Sequence, residues 1–189
     1  MSPRPIEVPI EGLTDGVVRL RLGADSDVER ITALVQDPQV TRWTTIPPGQ
    51  TAAGTREWMQ RGMAGLASGS DLALVIAAAE RDEPIGTIGL HEISRAAGRA
   101  TAGYVLAREW RGKGLGRRAL GLICGFAFDE LRLARVEVTV EADNAASRAT
   151  AESVGFKEEG LLRSYMRIAG ERRDMLMYGL LPEDLRARE

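Results

Sequence analysis

The chain has 189 residues, 44% of them apolar and 28% charged, with a formal net charge of −2. That balance fits one globular domain with a sizeable core, and it excludes both a disordered chain and the broad basic surface of a general nucleic-acid binder. The single cysteine, Cys124, rules out an intramolecular disulfide and no apolar run approaches a membrane span, so a cytoplasmic protein is expected.

Residues 1–16 carry Pro3, Pro5 and Pro9, show no signal-peptide pattern, and read as an arm over the domain. A single domain is expected over 17–182, with a short tail at 183–189. Val17–Leu22, which alternates from Val18 onward, reads as a first strand. Ser26 and Glu29 fit a capping box for a helix with Val28, Ile31, Leu34 and Val35 on its buried stripe, closed by Asp37-Pro38. Val40–Gly49 reads as a stiff aromatic loop, in which Trp43 is either a hydrophobic plug or a wall of a substrate pocket. A second helix follows over Thr51–Ala67, with Trp58, Met59, Met63 and Leu66 as its apolar side. Asp71–Ala79 suggests a strand buried on both faces, paired as a hairpin with Ile85–Ile93, and Ala100–Leu106 forms the next strand.

Arg111-Gly112-Lys113-Gly114-Leu115-Gly116-Arg117-Arg118 comes next, ahead of a segment with helical periodicity that ends near Leu131. Glycines at every second position make a poor helix but a good loop, whose N–H groups converge on an anion at a helix N-terminus. A Walker loop needs Ser or Thr after Gly-Lys, and a dinucleotide fingerprint needs its third glycine one residue later, so both are excluded. A pyrophosphate cradle remains, beside the bland reading of a glycine-rich turn with solvated arginines. Cys124 falls in the apolar stretch of this helix and reads as packing. Arg135–Val140 alternates as a strand, Asn144–Val154 is a short helix capped by Gly155, and Lys157–Ile168 with Asp174–Leu181 forms a final hairpin turning at Ala169–Arg172.

The order β α α β β β α β α β β, with Arg-x-x-Gly-x-Gly after the fourth strand, resembles the GCN5-related N-acetyltransferase (GNAT) superfamily. The stretches Asp37-Pro38-Gln39-Val40, Ile85–Leu90, Gly103-Tyr104-Val105-Leu106, Val136–Val140, Asn144-Ala145-Ala146-Ser147, Val154-Gly155-Phe156 and Gly170–Asp174 are similar to its ribosomal-protein N-terminal acetyltransferase (RimJ/RimL-like) branch. The resemblance implies an α/β (α+β) fold: a mixed, mostly antiparallel twisted sheet of about seven strands and about four helices on both faces, with strands 4 and 5 splayed. It implies acetyl transfer from acetyl-CoA to a primary amine, either a protein N-terminus or a small molecule, with no metal.

In such a fold the pantetheine arm adds like a strand to Tyr104, Val105 and Leu106, and a backbone N–H near Val105 or Leu106 faces the thioester carbonyl. Gly112, Gly114, Leu115 and Gly116 would hold the pyrophosphate, with Arg111, Lys113 and Arg117 adding charge. Asn144 is a helix N-cap in any case, and the resemblance adds a contact to pantetheine. Ser147 is either a first-turn serine bonded locally or the proton donor to the CoA sulfur. Many relatives place a tyrosine at the position of Ala151 and a glutamate at that of Thr101, and this chain has neither. Tyr104 and Tyr165 are further candidates for the acid. His91 and Glu92 are candidates for the base, on opposite faces by the period of two, so that only one would enter the cleft. Deprotonation relayed by water remains the alternative. A non-catalytic acyl-CoA sensor and a structural dimer with a vestigial loop are the competing functions, and a homodimer is the common default.

Overall fold

The computed structural model of the protein describes residues 4–185. Their elements run β1 (Leu13–Thr14), β2 (Val18–Arg21), α1 (Val28–Val35), α2 (Pro38–Trp43), α3 (Ala52–Ser68), β3 (Leu72–Ala78), β4 (Glu83–Ser94), β5 (Arg99–Leu106), α4 (Leu115–Asp129), β6 (Arg135–Val140), α5 (Ala145–Val154), β7 (Lys157–Ile168) and β8 (Glu171–Leu180). The strands form one eight-stranded sheet in the order β1-β2-β3-β4-β5-β6-β8-β7. Every neighbouring pair is antiparallel except β5 and β6, which α4 connects as a crossover.

Alternation decides which side chains meet which helix. Leu20, Leu74, Ile88, Ala102 and Val138 turn to one face, where they pack with Leu120, Ile123 and Ala127 of α4 and Val154 of α5. Val75 and Val105 turn to the other face, against Ile31, Leu34 and Val35 of α1. Both faces of β3 are therefore covered, as its apolar run predicts. Cys124 is fully buried in the first core, and burial pushes its thiol well above the ordinary range.

The structure corrects several expectations. The arm contributes a two-residue strand, Leu13–Thr14, so the sheet has eight strands rather than about seven. Nothing in so short a run marks a strand; it exists because β2 offers it an edge. The stiff loop after Asp37 begins as a helix, which makes five α-helices among the described residues rather than about four. Asp37 caps it by accepting from the Gln39 N–H at 2.9 Å, and Pro38 takes the first turn, where its missing donor costs nothing. The Ser26–Glu29 capping box does not form at α1: Asp27 accepts from the Ala24 N–H at 2.8 Å instead and pairs with Arg21. In α3 the buried face is Thr55, Gly62, Gly65 and Leu66, and Met63 is 55% exposed. A Cβ on Gly62 would stand 2.9 Å from that of Ala73, so glycine brings this helix down onto β3. The last hairpin turns on Ala169 and Gly170 alone, both at positive φ, as a two-residue turn requires. Residues 1–3 of the expected arm and 186–189 of the expected tail lie outside the described residues.

Candidate active site

The sheet opens at one place. β5 and β6 pair at Arg99 with Arg135, Ala100 with Val136 and Thr101 with Glu137, and then part, although β5 runs on to Leu106 and β6 to Val140. The Ala107 N–H donates to the Ile85 carbonyl at 2.8 Å. By the alternation of an antiparallel ladder, the odd-numbered residues of β5 spend their backbone groups on β4. The even-numbered ones, Tyr104 and Leu106, turn theirs toward the side that β6 has left. The donor expected near Val105 or Leu106 therefore belongs to Tyr104 or Leu106, while that of Val105 faces β4.

The glycine loop closes one end of this opening. Gly112 and Gly114 sit at φ 72° and 75°, and nothing lies within 4 Å of where a Cβ on either would stand. Gly114 is the N-cap of α4 and supplies no side chain, so the first N–H groups of the helix are uncapped by side chains. The first turn carries Arg117 and Arg118 and no acid, an arrangement that the helix dipole disfavours unless an anion sits there. Arg118 is bound to Asp15 at 2.8 Å, Lys113 lies 5.0 Å over the Trp110 ring, and Arg117 is exposed. Arg111 is turned away from the loop: its Nε donates to the Leu106 carbonyl at 2.9 Å, and its Nη2 lies 2.8 Å from Asp37. The Gln39 N–H and then Arg111 hold the Asp37 carboxyl below the usual carboxylate range. The other end of α2 is tied down too, since Arg42 reaches Glu141 at 2.9 Å, just past β6, and stacks 4.1 Å from the Trp43 ring. The helix therefore straps the mouth of the opening from the β5 side to the β6 side.

Tyr104, Ser147 and Thr150 come together against the loop. A Cβ on Gly116 would meet the Tyr104 ring at 3.0 Å, so glycine is what lets the ring lie on the first turn of α4. Burial raises the Tyr104 phenol above its ordinary range, while hydrogen bonds with Thr150 and Ser147 act the other way. The phenol stays protonated at neutral pH and can donate. Asn144 caps α5 by accepting from the Ser147 N–H at 3.2 Å. Ala151 is buried beside this cluster's helix face, and Tyr165 is 49% exposed on the last hairpin. Sequence reasoning overlooked Thr150, although it stands one turn from Ser147 on the same helix face.

On the opposite face of the sheet, Gly89 of β4 pairs with Gly103 of β5, and a Cβ on Gly103 would meet nothing within 4 Å. His91 is two residues on and shares this face. Its ring folds back over Gly89, with Nε2 3.1 Å from where a Cβ would be. Glu92 occupies a bulge at φ 52°, which breaks the period of two used to choose between them; both are exposed. Among the described residues, Glu92 has no hydrogen-bond or ion-pair partner.

Residues 18–157 match the acetyltransferase (GNAT) domain family, and the chain belongs to it. It is 33% identical over 158 residues to the uncharacterized N-acetyltransferase p20 of Bacillus licheniformis, covering 84% of this chain and 89% of that one. It is 29% identical over 169 residues to the uncharacterized N-acetyltransferase YoaA of Bacillus subtilis (strain 168), covering 89% and 94%. The fold superposes on Mycobacterium smegmatis RimJ in complex with CoA-disulfide with a TM-score of 0.83 at 27% identity, covering 98% of this chain and 92% of that one. The chain is an acyltransferase, an N-acetyltransferase of the RimJ/RimL-like kind. Among the described residues no helix is long and apolar enough to cross a membrane.

Proposed function

We propose that this protein takes its acetyl group from acetyl-CoA and delivers it by direct attack to a primary amine, a protein N-terminus or a small-molecule amine. The observation that carries the reading is the parting of β5 and β6 after Thr101 and Glu137, beside an uncapped glycine loop. The cosubstrate fits the residues present. Its pyrophosphate finds uncapped N–H groups and open space at Gly112–Gly116. Its pantetheine finds the backbone of Tyr104 and the N–H of Leu106 on the side that β6 has left, the Leu106 carbonyl being taken by Arg111, with Asn144 facing from α5. Acetyl-CoA supplies an activated thioester carbonyl, and the chain supplies the rest. A backbone N–H from Tyr104 or Leu106 meets the developing oxyanion, a donor worth about 3 kcal/mol in a preorganised site. The Ser147 or Tyr104 hydroxyl returns a proton to the departing sulfur, and His91 takes one from the amine. Arg111 acts here as a positioning residue, holding the loop to α2, while Arg117 is the charge left free for phosphate. We place the reaction in the cytoplasm, consistent with one buried thiol and no apolar helix of membrane-spanning length among the described residues.

The test is direct. Calorimetry should find CoA binding to the wild-type chain and loss of it in Gly114→Val. A side chain there meets strain at φ 75° and enters the space the pyrophosphate needs. Equal affinity in the variant would refute the cradle. Thiol release from acetyl-CoA should follow addition of at least one amine from a panel of alanyl-, seryl- and methionyl-peptides, spermidine and phenethylamine. CoA binding with no turnover on any of them would instead favour the acyl-CoA sensor, which the absence of a glutamate at 101 and a tyrosine at 151 makes a specific rival.

A further inference from the structure

The base in the reading above is His91, and the structure surrounds it with groups that the sequence did not connect to it. Asp71 stands one residue before β3, in the row beyond the Leu72–Leu90 pair, so its side chain is next to His91 on the same face. The Asp71 Oδ1 lies 3.5 Å from His91 Nδ1. The other oxygen, Oδ2, accepts from the Ser70 hydroxyl at 2.7 Å, and the Ser68 hydroxyl is 2.9 Å behind that of Ser70. Asp71 has room because α3 presents Gly65 there: a Cβ at that position would come within 2.7 Å of the Asp71 Cβ. One carboxylate oxygen is thus fixed by a serine and the other is left for the imidazole.

We propose that Asp71, oriented by Ser70, is a positioning residue for His91: it holds the imidazole proton on Nδ1, so that Nε2 presents its lone pair over Gly89 toward the open floor at Gly103. This rests on the His91 reading above. The step balances without a further reagent. The amine nitrogen forms a bond to the acetyl carbonyl carbon as Nε2 takes its proton, the C–S bond breaks, and the sulfur leaves with the bonding pair and is protonated by the Ser147 or Tyr104 hydroxyl, which regains a proton from solvent as the imidazolium later gives one up. The imidazolium then carries its positive charge beside Asp71, which is why a carboxylate suits that place. Of the other charged groups on the packed elements, two are paired and Glu92, among the described residues, is not. Arg99 of β5 pairs with Glu137 of β6 at 3.1 Å, Arg61 of α3 pairs with Glu57 at 3.8 Å, and Glu92 lies in the bulge. Opposite His91, on β5, stands Thr101, which is uncharged.

The chain has one histidine, so its side-chain nitrogen signals belong to one ring. Long-range ¹H–¹⁵N spectra of the whole protein at alkaline pH should show the Nδ1–H tautomer in the wild type and a shift toward Nε2–H in Asp71→Asn. An Nε2–H ring in the wild type, or a tautomer ratio that Asp71→Asn leaves unchanged, would overturn the proposal whether or not the amine reading stands. Kinetics supply the second arm, with acetyl-CoA and whichever amine of the panel turns over fastest. General-base loss in His91→Ala should lower kcat about a hundredfold. Because His91 and Asp71 are 51% and 42% exposed, Asp71→Asn should cost about fivefold in kcat, with the KM for acetyl-CoA unchanged. In the His91→Ala background it should cost nothing further. An equal loss in both backgrounds would mark Asp71 as merely structural, while an unchanged kcat in His91→Ala would remove the base itself. Ser70→Ala should repeat the Asp71→Asn tautomer shift in weaker form, and no shift there would take Ser70 out of the relay.

Discussion

Gly103 gives the cleanest separation of fold from chemistry. Its φ is not positive, it is exposed, and a Cβ there would meet nothing within 4 Å, so Gly103→Val has no clash and no backbone strain to overcome. Glycine inside a strand costs about 0.5–1 kcal/mol relative to alanine through chain entropy, and a β-branched residue suits a strand by a few tenths more. The substitution should therefore stabilise the protein by about 1 kcal/mol, a rise of about 2–4 °C in Tm for a domain of this size. The same side chain fills the floor beside His91 where the amine and the acetyl carbon must meet. A displacement of about 1 Å at a reacting centre is enough to cost a hundredfold, so turnover should fall by at least about that factor. Thermal melts and thiol release on one preparation check both halves. Wild-type turnover in Gly103→Val would show that the reaction does not occur over this floor, and a Tm several degrees lower would show that the space is not open.

The hydroxyl cluster can be divided by comparing Ser147→Ala with Tyr104→Phe. Whichever residue protonates the sulfur should lose about a hundredfold in kcat, with little change in CoA affinity by calorimetry, and the other should lose far less. Arg42→Ala leaves Glu141 nearly buried without its partner and removes the stacking on Trp43, though the 38% exposure of Arg42 moderates the loss. A cost of about 2 kcal/mol in urea unfolding is expected, with part of it recovered in Arg42→Ala/Glu141→Gln. Acid should weaken the fold. Asp37 is lowered by the Gln39 N–H and then Arg111, and Asp27 is lowered because Arg21 and the Ala24 N–H outweigh its burial. Carboxyls depressed in the folded state stabilise it fully above their unfolded value of about 3.9, and that stability is lost as pH falls through the folded values. The urea midpoint should hold steady down to about pH 5 and then decline; a midpoint that rises on acidification would contradict the pairing.

Much of this architecture was legible because it is written in short periods. The stripe through α4, the continuous apolar run of β3 and the alternation of β6 are each visible within about one element. The glycine loop was legible for the same reason, since its spacing is local and glycine takes its two left-handed positions without strain. The helix α2 was missed although Asp37-Pro38 is a sound N-cap and first-turn pair, because a six-residue helix carries too little periodicity to stand out.

The sequence by itself determined the order of the longer elements, the glycine loop and the family likeness, all of which depend on neighbours in the chain. Only the tertiary structure decided what the charged and hydroxyl side chains do. Arg111 looked like a phosphate ligand and is held by Asp37 instead; Arg42 finds Glu141 across 99 residues; Tyr104 turns out to share hydrogen bonds with Thr150 and Ser147. His91 acquires Asp71 only through the register of β3 on β4, and the bulge at Glu92 undoes the period that would have sorted the two candidates. Periodicity says which face a side chain takes, but which partner waits on that face depends on strand register and on how closely a helix can approach. Those are properties of the assembled sheet, fixed here by glycines as unremarkable in the sequence as Gly65, Gly89 and Gly116.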